Sequence, residues 1–229
     1  MLGRMPYARP DGTAEKLTHL PRLASWEKST HPGQIRLLDY LSSTRLLLEP
    51  VLARLTGPLA LRLDIGLPET IKLLDHHDLD NYLYPLAAHL RKQAGRDFVS
   101  VWATKYTGPD SFVRVEQARP VVFPVRSTIR TTVSSGKVGY KEQIRDQLTG
   151  VTVLPDGPVR LEVAFTVGPA RSWTTLWKPT IDALGAVLGI PEGGRPWSPR
   201  DGRIDRLGLH CSVAATLGND VLIDLAWSS

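Results

Sequence analysis

An imperfect internal repeat constrains this chain more than any other feature, because a chain that repeats its elements in order repeats a fold. The segment from Gly57, GPLALRLDIGLP, lies beside the segment from Gly157, GPVRLEVAFTVGP. Each opens on Gly-Pro and then alternates apolar with other residues: Leu59, Leu61, Leu63 and Ile65 in the first, Val159, Leu161, Val163 and Phe165 in the second. That period of two marks a half-buried strand. Further on, YLYPLAAHL aligns with LWKPTIDAL, which sets Pro85 on Pro179 and Leu90 on Leu184, and each segment reads as a short helix. Two strand-like runs follow each helix, FVSVWATKY and FVRVEQ in the first copy, RIDRLGLHCSVA and VLIDLAW in the second. The order strand, helix, strand, strand therefore occurs twice. The alternative is one continuous mixed sheet whose strands merely look alike.

The rest of the chain is organised around the repeat. Residues 1–54 form an N-terminal arm, irregular and rich in Pro and Gly up to Gly33, followed by a helix. In that helix Ile35, Leu37, Leu38, Leu41, Leu46, Leu47, Leu48, Val51 and Leu52 recur mostly at spacings of three and four. Pro50 is expected to kink it or to start a second helix. Residues 55–125 form the first repeated unit, 126–152 a basic connector and 153–229 the second unit. The fold class is α+β. With 229 residues and 42% hydrophobic content, the chain can bury a core without disulfides. Cys211 is the single cysteine, which excludes an intrachain disulfide and a multi-Cys zinc site and suits a reducing compartment. It reads as a small core residue. No apolar run approaches bilayer-spanning length, and the start MLGRMPYARPDG lacks the apolar region of a secretory signal, so a cytoplasmic protein without membrane association is expected.

One cluster carries chemistry. Asp75-His76-His77-Asp78-Leu79-Asp80-Asn81 joins the first strand to the first helix. Asp78 and Asp80, one residue apart, place two carboxylates on one side of an extended segment, where they repel unless a cation lies between them. Such an oxygen-rich site favours Mg²⁺ or Mn²⁺. Asn81 is a candidate cap, and a plain N-cap Asp with a solvated neighbour is the structural alternative.

Asp-x-Asp-Asn between strand and helix resembles the core motif of the RusA family of Holliday-junction resolvases, whose pattern is Asp-x-Asp-Asn-x-x-Lys, then Asp-Ala-Leu in the helix, then an acid at the next strand. Asp78, Asp80 and Asn81 match the first part, with Tyr84 at the lysine position, Ala88-His89-Leu90 in place of Asp-Ala-Leu, and Asp97 near the later acid. The second copy is complementary. Lys178 and Asp182-Ala183-Leu184 match the lysine and Asp-Ala-Leu, Ser172, Thr174 and Thr175 replace Asp-x-Asp-Asn, and Asp201 stands for the later acid. The resemblance covers roughly residues 55 to 120 and 155 to 229. It implies two fused units acting as a pseudo-dimer behind a helical N-terminal extension, and a metal-dependent endonuclease for branched DNA. Asp78, Asp80 and Asp97 would hold one or two Mg²⁺ (or Mn²⁺) as the catalytic centre. The cation that stabilises the developing charge would be Lys178 if the units meet across an interface, with Lys72, Lys92 and Lys105 as local substitutes.

The net charge of +5 is concentrated between the copies. There Arg114, Arg119, Arg126, Arg130, Lys137, Lys141 and Arg145 face two acids, Glu116 and Glu142. These residues are candidate contacts to a nucleic-acid backbone, or simply a solvated surface. A continuous stripe would favour nucleic acid, and scattered placement would favour protein contacts. No Gly-x-Ser-x-Gly elbow, P-loop, dinucleotide glycine fingerprint or His-Glu-x-x-His pair is present. Trp173, Trp177, Trp197 and Trp227 read as core or interface fillers before base-stacking platforms. The expected function is a Mg²⁺-dependent, structure-selective DNA endonuclease. The alternatives are a RusA-fold nucleic-acid-binding protein without catalysis, or a structural or regulatory component, acting with a protein partner or as a homodimer.

Overall fold

The protein is described by a computed structural model covering residues 5–24, 28 and 30–229. The remaining arm residues, 1–4, 25–27 and 29, lie outside the described residues. Two residues of the arm make a minimal strand, β1 (Glu15–Lys16), before a 21-residue helix, α1 (Pro32–Leu52). Pro50 sits in the last turn of α1, so one helix runs through it and no second helix starts there.

The first half then runs β2 (Leu59–Leu67), α2 (Leu79–Ala94), β3 (Phe98–Thr107) and β4 (Phe112–Gln117). The connector is not a free linker. It supplies β5 (Ser127–Thr131), which pairs antiparallel with the last strand, and α3 (Val138–Gln147). The second half runs β6 (Val159–Val167), a 3₁₀ turn over Trp173–Leu176, α4 (Trp177–Asp182), α5 (Gly185–Leu188), β7 (Ile204–Val213) and β8 (Val221–Ser228).

All eight strands belong to one mixed sheet in the order β1-β4-β2-β3-β7-β6-β8-β5. The two halves are thus not separate bodies but the two wings of a continuous sheet, and the fold is α+β. Each wing is wired identically. β2 is parallel to β3 and antiparallel to β4, and β6 is parallel to β7 and antiparallel to β8. Even the irregularity repeats, since the register slips between Leu59 and Ala60 in one wing and between Val159 and Arg160 in the other.

The wings join through β3 and β7, paired antiparallel from Ser100↔His210 to Thr104↔Arg206. Applying the same wing-to-wing correspondence to β3 and β7 puts Gly208 where Trp102 stands, and these two residues face each other at the middle of the seam. A pseudo-twofold axis passes between them. A Cβ on Gly208 would lie 2.7 Å from the Trp102 ring, so only glycine lets the indole cross the axis.

One face of the sheet is apolar and carries the helices. Leu61, Leu63, Val101, Leu161, Val163, Leu207 and Leu209 are solvent-free there, with Tyr40 and Leu48 of α1, Leu83 and Leu86 of α2, Tyr140 and Ile144 of α3 and Trp177 of α4 packed in the same core. The opposite face is polar and is crossed by the arm. Tyr7 is buried, pairs with Pro120 and donates its backbone N–H to His210, while Arg9 bonds Asp64 and Thr104. The arm is irregular, as its prolines predict, yet packed, because residues 119–121 offer it backbone partners. No helix among the described residues is long and apolar enough to cross a membrane.

Candidate functional site

The C-terminal end of β2 leads into the Asp75–Asn81 segment. His77 adopts a left-handed conformation (φ 67°), turning the chain into α2, whose N-cap is Asp78. Asp78 makes no capping bond to the backbone and instead accepts a 3.2 Å hydrogen bond from the Asn81 side chain. Asp80 lies in the first helical turn, where the positive end of the helix favours a carboxylate. It is 3% exposed. The His77 ring is fixed by a 2.6 Å hydrogen bond with the Tyr82 hydroxyl.

The seam decides what else arrives. β7 runs antiparallel to β3, so the start of β7 lies beside the end of β3, and the turn holding Asp201 and Gly202 reaches the loop after β2. A Cβ on Gly202 would stand 2.6 Å from the Asp75 carbonyl oxygen; the two backbones touch because residue 202 has no side chain. Lys105, near the end of β3, rivets them together. Its buried ammonium donates to the carbonyls of His76 (2.8 Å), His77 (3.2 Å) and Gly202 (2.6 Å). α4 then brings Lys178 from the second wing. The Lys178 Nζ lies 2.9 Å from Asp182, 3.0 Å from Asp201 and 3.9 Å from Asp78. Asp182 is also held by Lys141 of α3 at 2.7 Å, with Tyr140 bonded to Thr180 beside it.

The electrostatics follow from crowding four carboxylates in a half-buried space. Burial, with the neighbouring acids adding and Lys178 opposing, pushes Asp80 up to about 7. Asp78 is raised for the same leading reason, with Asp201 next. Burial lowers Lys105 to about 8 despite the pull of Asp78 and Asp201. Burial also works against the charge of Lys178, but Asp80, Asp201 and Asp182 outweigh it and hold the ammonium ionised. Among the described residues no three His, Cys, Asp or Glu side chains are arrayed to hold a metal ion as they stand. The donors themselves, all carboxylate oxygens, suit a hard cation, with Lys178 lying among them.

Asp97 is not part of this group. It precedes β3, and Phe98 pairs with Leu59 at the start of β2, whereas Asp78 follows the end of β2. Eight residues of strand at about 3.3 Å each put Asp97 roughly 26 Å from Lys105. It is 77% exposed and paired with Arg91 at 2.9 Å. The parallel pairing of β2 with β3 sets Asp97 at the end of the sheet away from Asp78, and the antiparallel seam places the acid before each central strand beside the opposite wing. Asp201 therefore takes the place expected of Asp97. Of the lysines considered, Lys178 and Lys105 reach the site, while Lys72 is exposed and pairs with Asp75 and Lys92 points to solvent.

The seven basic residues are dispersed. Arg114, on β4, is largely buried against Asp64 and the Gly12 carbonyl. Arg130, on β5 at the opposite end of the sheet, pairs with Asp220. Arg119 pairs with Asp11, Lys141 with Asp182, and Arg145 with Asp146 while lying over Trp197. Arg126 lies over Trp227, and exposed Lys137 starts α3. They form no single stripe.

No protein-family model and no curated protein sequence matches the chain. Among solved structures it is similar to a cyanuric acid hydrolase, described under the heading of evolutionary innovation by structural concatenation, at 13% identity and a TM-score of 0.23. That match covers 82% of this chain and spans 64% of the hydrolase's length.

Proposed function

We propose that the chain is a Mg²⁺-dependent, structure-selective DNA endonuclease built from two fused RusA-like units, with one composite centre. One observation carries the reading: the motif residues that each wing lacks are supplied by the other at a single place. Asp78, Asp80 and Asn81 come from the first wing, and Lys178, Asp182 and Asp201 from the second. Asp78 and Asp80, raised chiefly by burial, would hold the ion with Asp201. Bound there, Mg²⁺ or Mn²⁺ supplies Lewis-acid polarisation of a phosphate and an activated water. The chain's own contributions are positional. Lys105 and Gly202 clamp the two loops, Lys141 fixes Asp182, and Lys178 balances the carboxylates and stands near enough to neutralise charge on a phosphate oxygen. The counterpart centre has Ser172 and Thr174 in place of carboxylates, so each chain nicks one strand.

A second reading, a junction-binding protein without catalysis, is favoured by the Lys178 ammonium, which already stands about 3 Å from two of the acids. The test is cleavage of end-labelled four-way junction, nicked and linear DNA in Mg²⁺, Mn²⁺ or EDTA. Metal-dependent cutting that is lost in Asp80→Asn and in Asp201→Asn, but kept in Asp97→Asn, is the expected result. Junction binding with a steep salt dependence and no cutting selects the second reading. Neither cutting nor binding refutes both and points to protein contacts.

A further inference from the structure

The pseudo-twofold axis generates a second position equivalent to the carboxylate centre, and there uncharged side chains stand in place of Asp78, Asp80, Asp182 and Lys105. Cys211 pairs with Phe165 as Lys105 pairs with Ile65. Ser172 and Thr174 stand for Asp78 and Asp80, and Ala88 stands for Asp182. What the smaller side chains leave is a cavity of about 400 Å³ between α2 and the ends of β3, β6 and β7. Its walls include Ala87, Phe98, Val101, Trp173 and Cys211, and the arm closes one side with Tyr7. Two cations are set in this wall, Arg91 and Arg171. Arg91 is answered by Asp97, but the Nε and Nη2 groups of Arg171 are buried with no acceptor among the described residues. Arg171 lines the cavity with no carboxylate paired to it among the described residues, and a guanidinium fits two oxygens of one anion.

We propose that this cavity is a binding site for a small molecule with a planar apolar body and one anionic group, carboxylate or phosphate. The body lies against Trp173 and Phe98, and the anion meets Arg171. The volume is that of a small-molecule site, mostly apolar with a few fixed polar groups.

The probe is 1-anilinonaphthalene-8-sulfonate, followed by fluorescence titration against the full chain. One saturable site is expected. Arg171→Gln should weaken it at least tenfold, and Val213→Trp, an exposed change at the cavity's edge that spares the core, should block it. The uncharged N-phenyl-1-naphthylamine should bind at least tenfold more weakly than the sulfonate. Competition by indole-3-acetate or by adenosine monophosphate tells a carboxylate ligand from a phosphate one. Asp80→Asn should leave the titration unchanged, which separates this site from the carboxylate centre. Absence of a saturable site, or equal affinity in the parent, Arg171→Gln and Val213→Trp, would overturn the proposal.

Discussion

Asp80→Asn should stabilise the metal-free protein, and by an amount that grows with pH. The carboxyl of Asp80 is raised from an ordinary 3.8 to about 7 by burial. The folded state therefore holds this proton more tightly than the unfolded chain does, and stability falls as pH rises from about 4 to 7, then levels off. Three decades at about 1.4 kcal/mol each set an upper limit of about 4 kcal/mol, of which roughly a third is already lost by pH 5. Asn has the same shape and no charge to desolvate. Urea denaturation in EDTA should therefore show the variant gaining up to about 3 kcal/mol more at pH 8 than at pH 5. Relaxation of the site and the loss of one partner for Lys178 reduce this to about 1–2 kcal/mol. A variant that is destabilised equally at both pH values would refute the reasoning, because it would mean that ionised Asp80 is a net asset to the fold.

Gly208→Ala should destabilise by about 1–3 kcal/mol, since its Cβ meets the Trp102 ring at 2.7 Å, and a Trp102→Leu background should relieve most of that loss in thermal melts. Lys105→Met, which leaves the carbonyls of His76, His77 and Gly202 without their donor, should cost about 2–4 kcal/mol in denaturant titrations. Because folding depresses Lys105 to about 8 against 10.5, the parent should gain stability between those pH values and the variant should not. If the chain binds junction DNA, Lys137→Ala should lower the salt slope by about one, whereas Arg114→Met, committed to Asp64, should lower stability and leave the slope unchanged.

The order of elements was legible because Gly-Pro starts, period-two strands and helix prolines are local signals, and both wings carry them in the same order. What a linear reading lacks is the pairing of strands. Asp97 follows α2 in sequence, so it looks like a partner for Asp78, and only the parallel pairing of β2 with β3, which sets Phe98 beside Leu59, shows that it is carried to the far end. The antiparallel β3–β7 seam makes Asp201 and Lys178 neighbours of Asp78. A signal was present in the complementary halves of the motif, since residues missing from one copy stand in the other. The basic connector misled for a different reason. Net charge counts residues without their partners, and Arg114, Arg119, Arg130, Lys141 and Arg145 each meet an acid in space.

Covalent linkage of the wings explains why the two centres can differ. In a symmetric pair of identical chains, any residue on the dyad meets its own copy, and two tryptophans at the Trp102 position would compete for the space that one ring fills. Here one copy carries the indole and the other carries none, an arrangement open only to a chain whose halves mutate independently. The same freedom acts at the two ends of the seam. Lys105 and Cys211 occupy one register position in the two wings, and that exchange, with the loss of the acids around it, leaves a charged cluster at one end and an apolar cavity at the other. Because β3 and β7 each begin at one centre and end at the other, both sites rest on the same two buried strands. The scaffold that holds Lys105 against the carbonyls beside Asp78 is therefore the scaffold that holds Phe98 in the cavity wall.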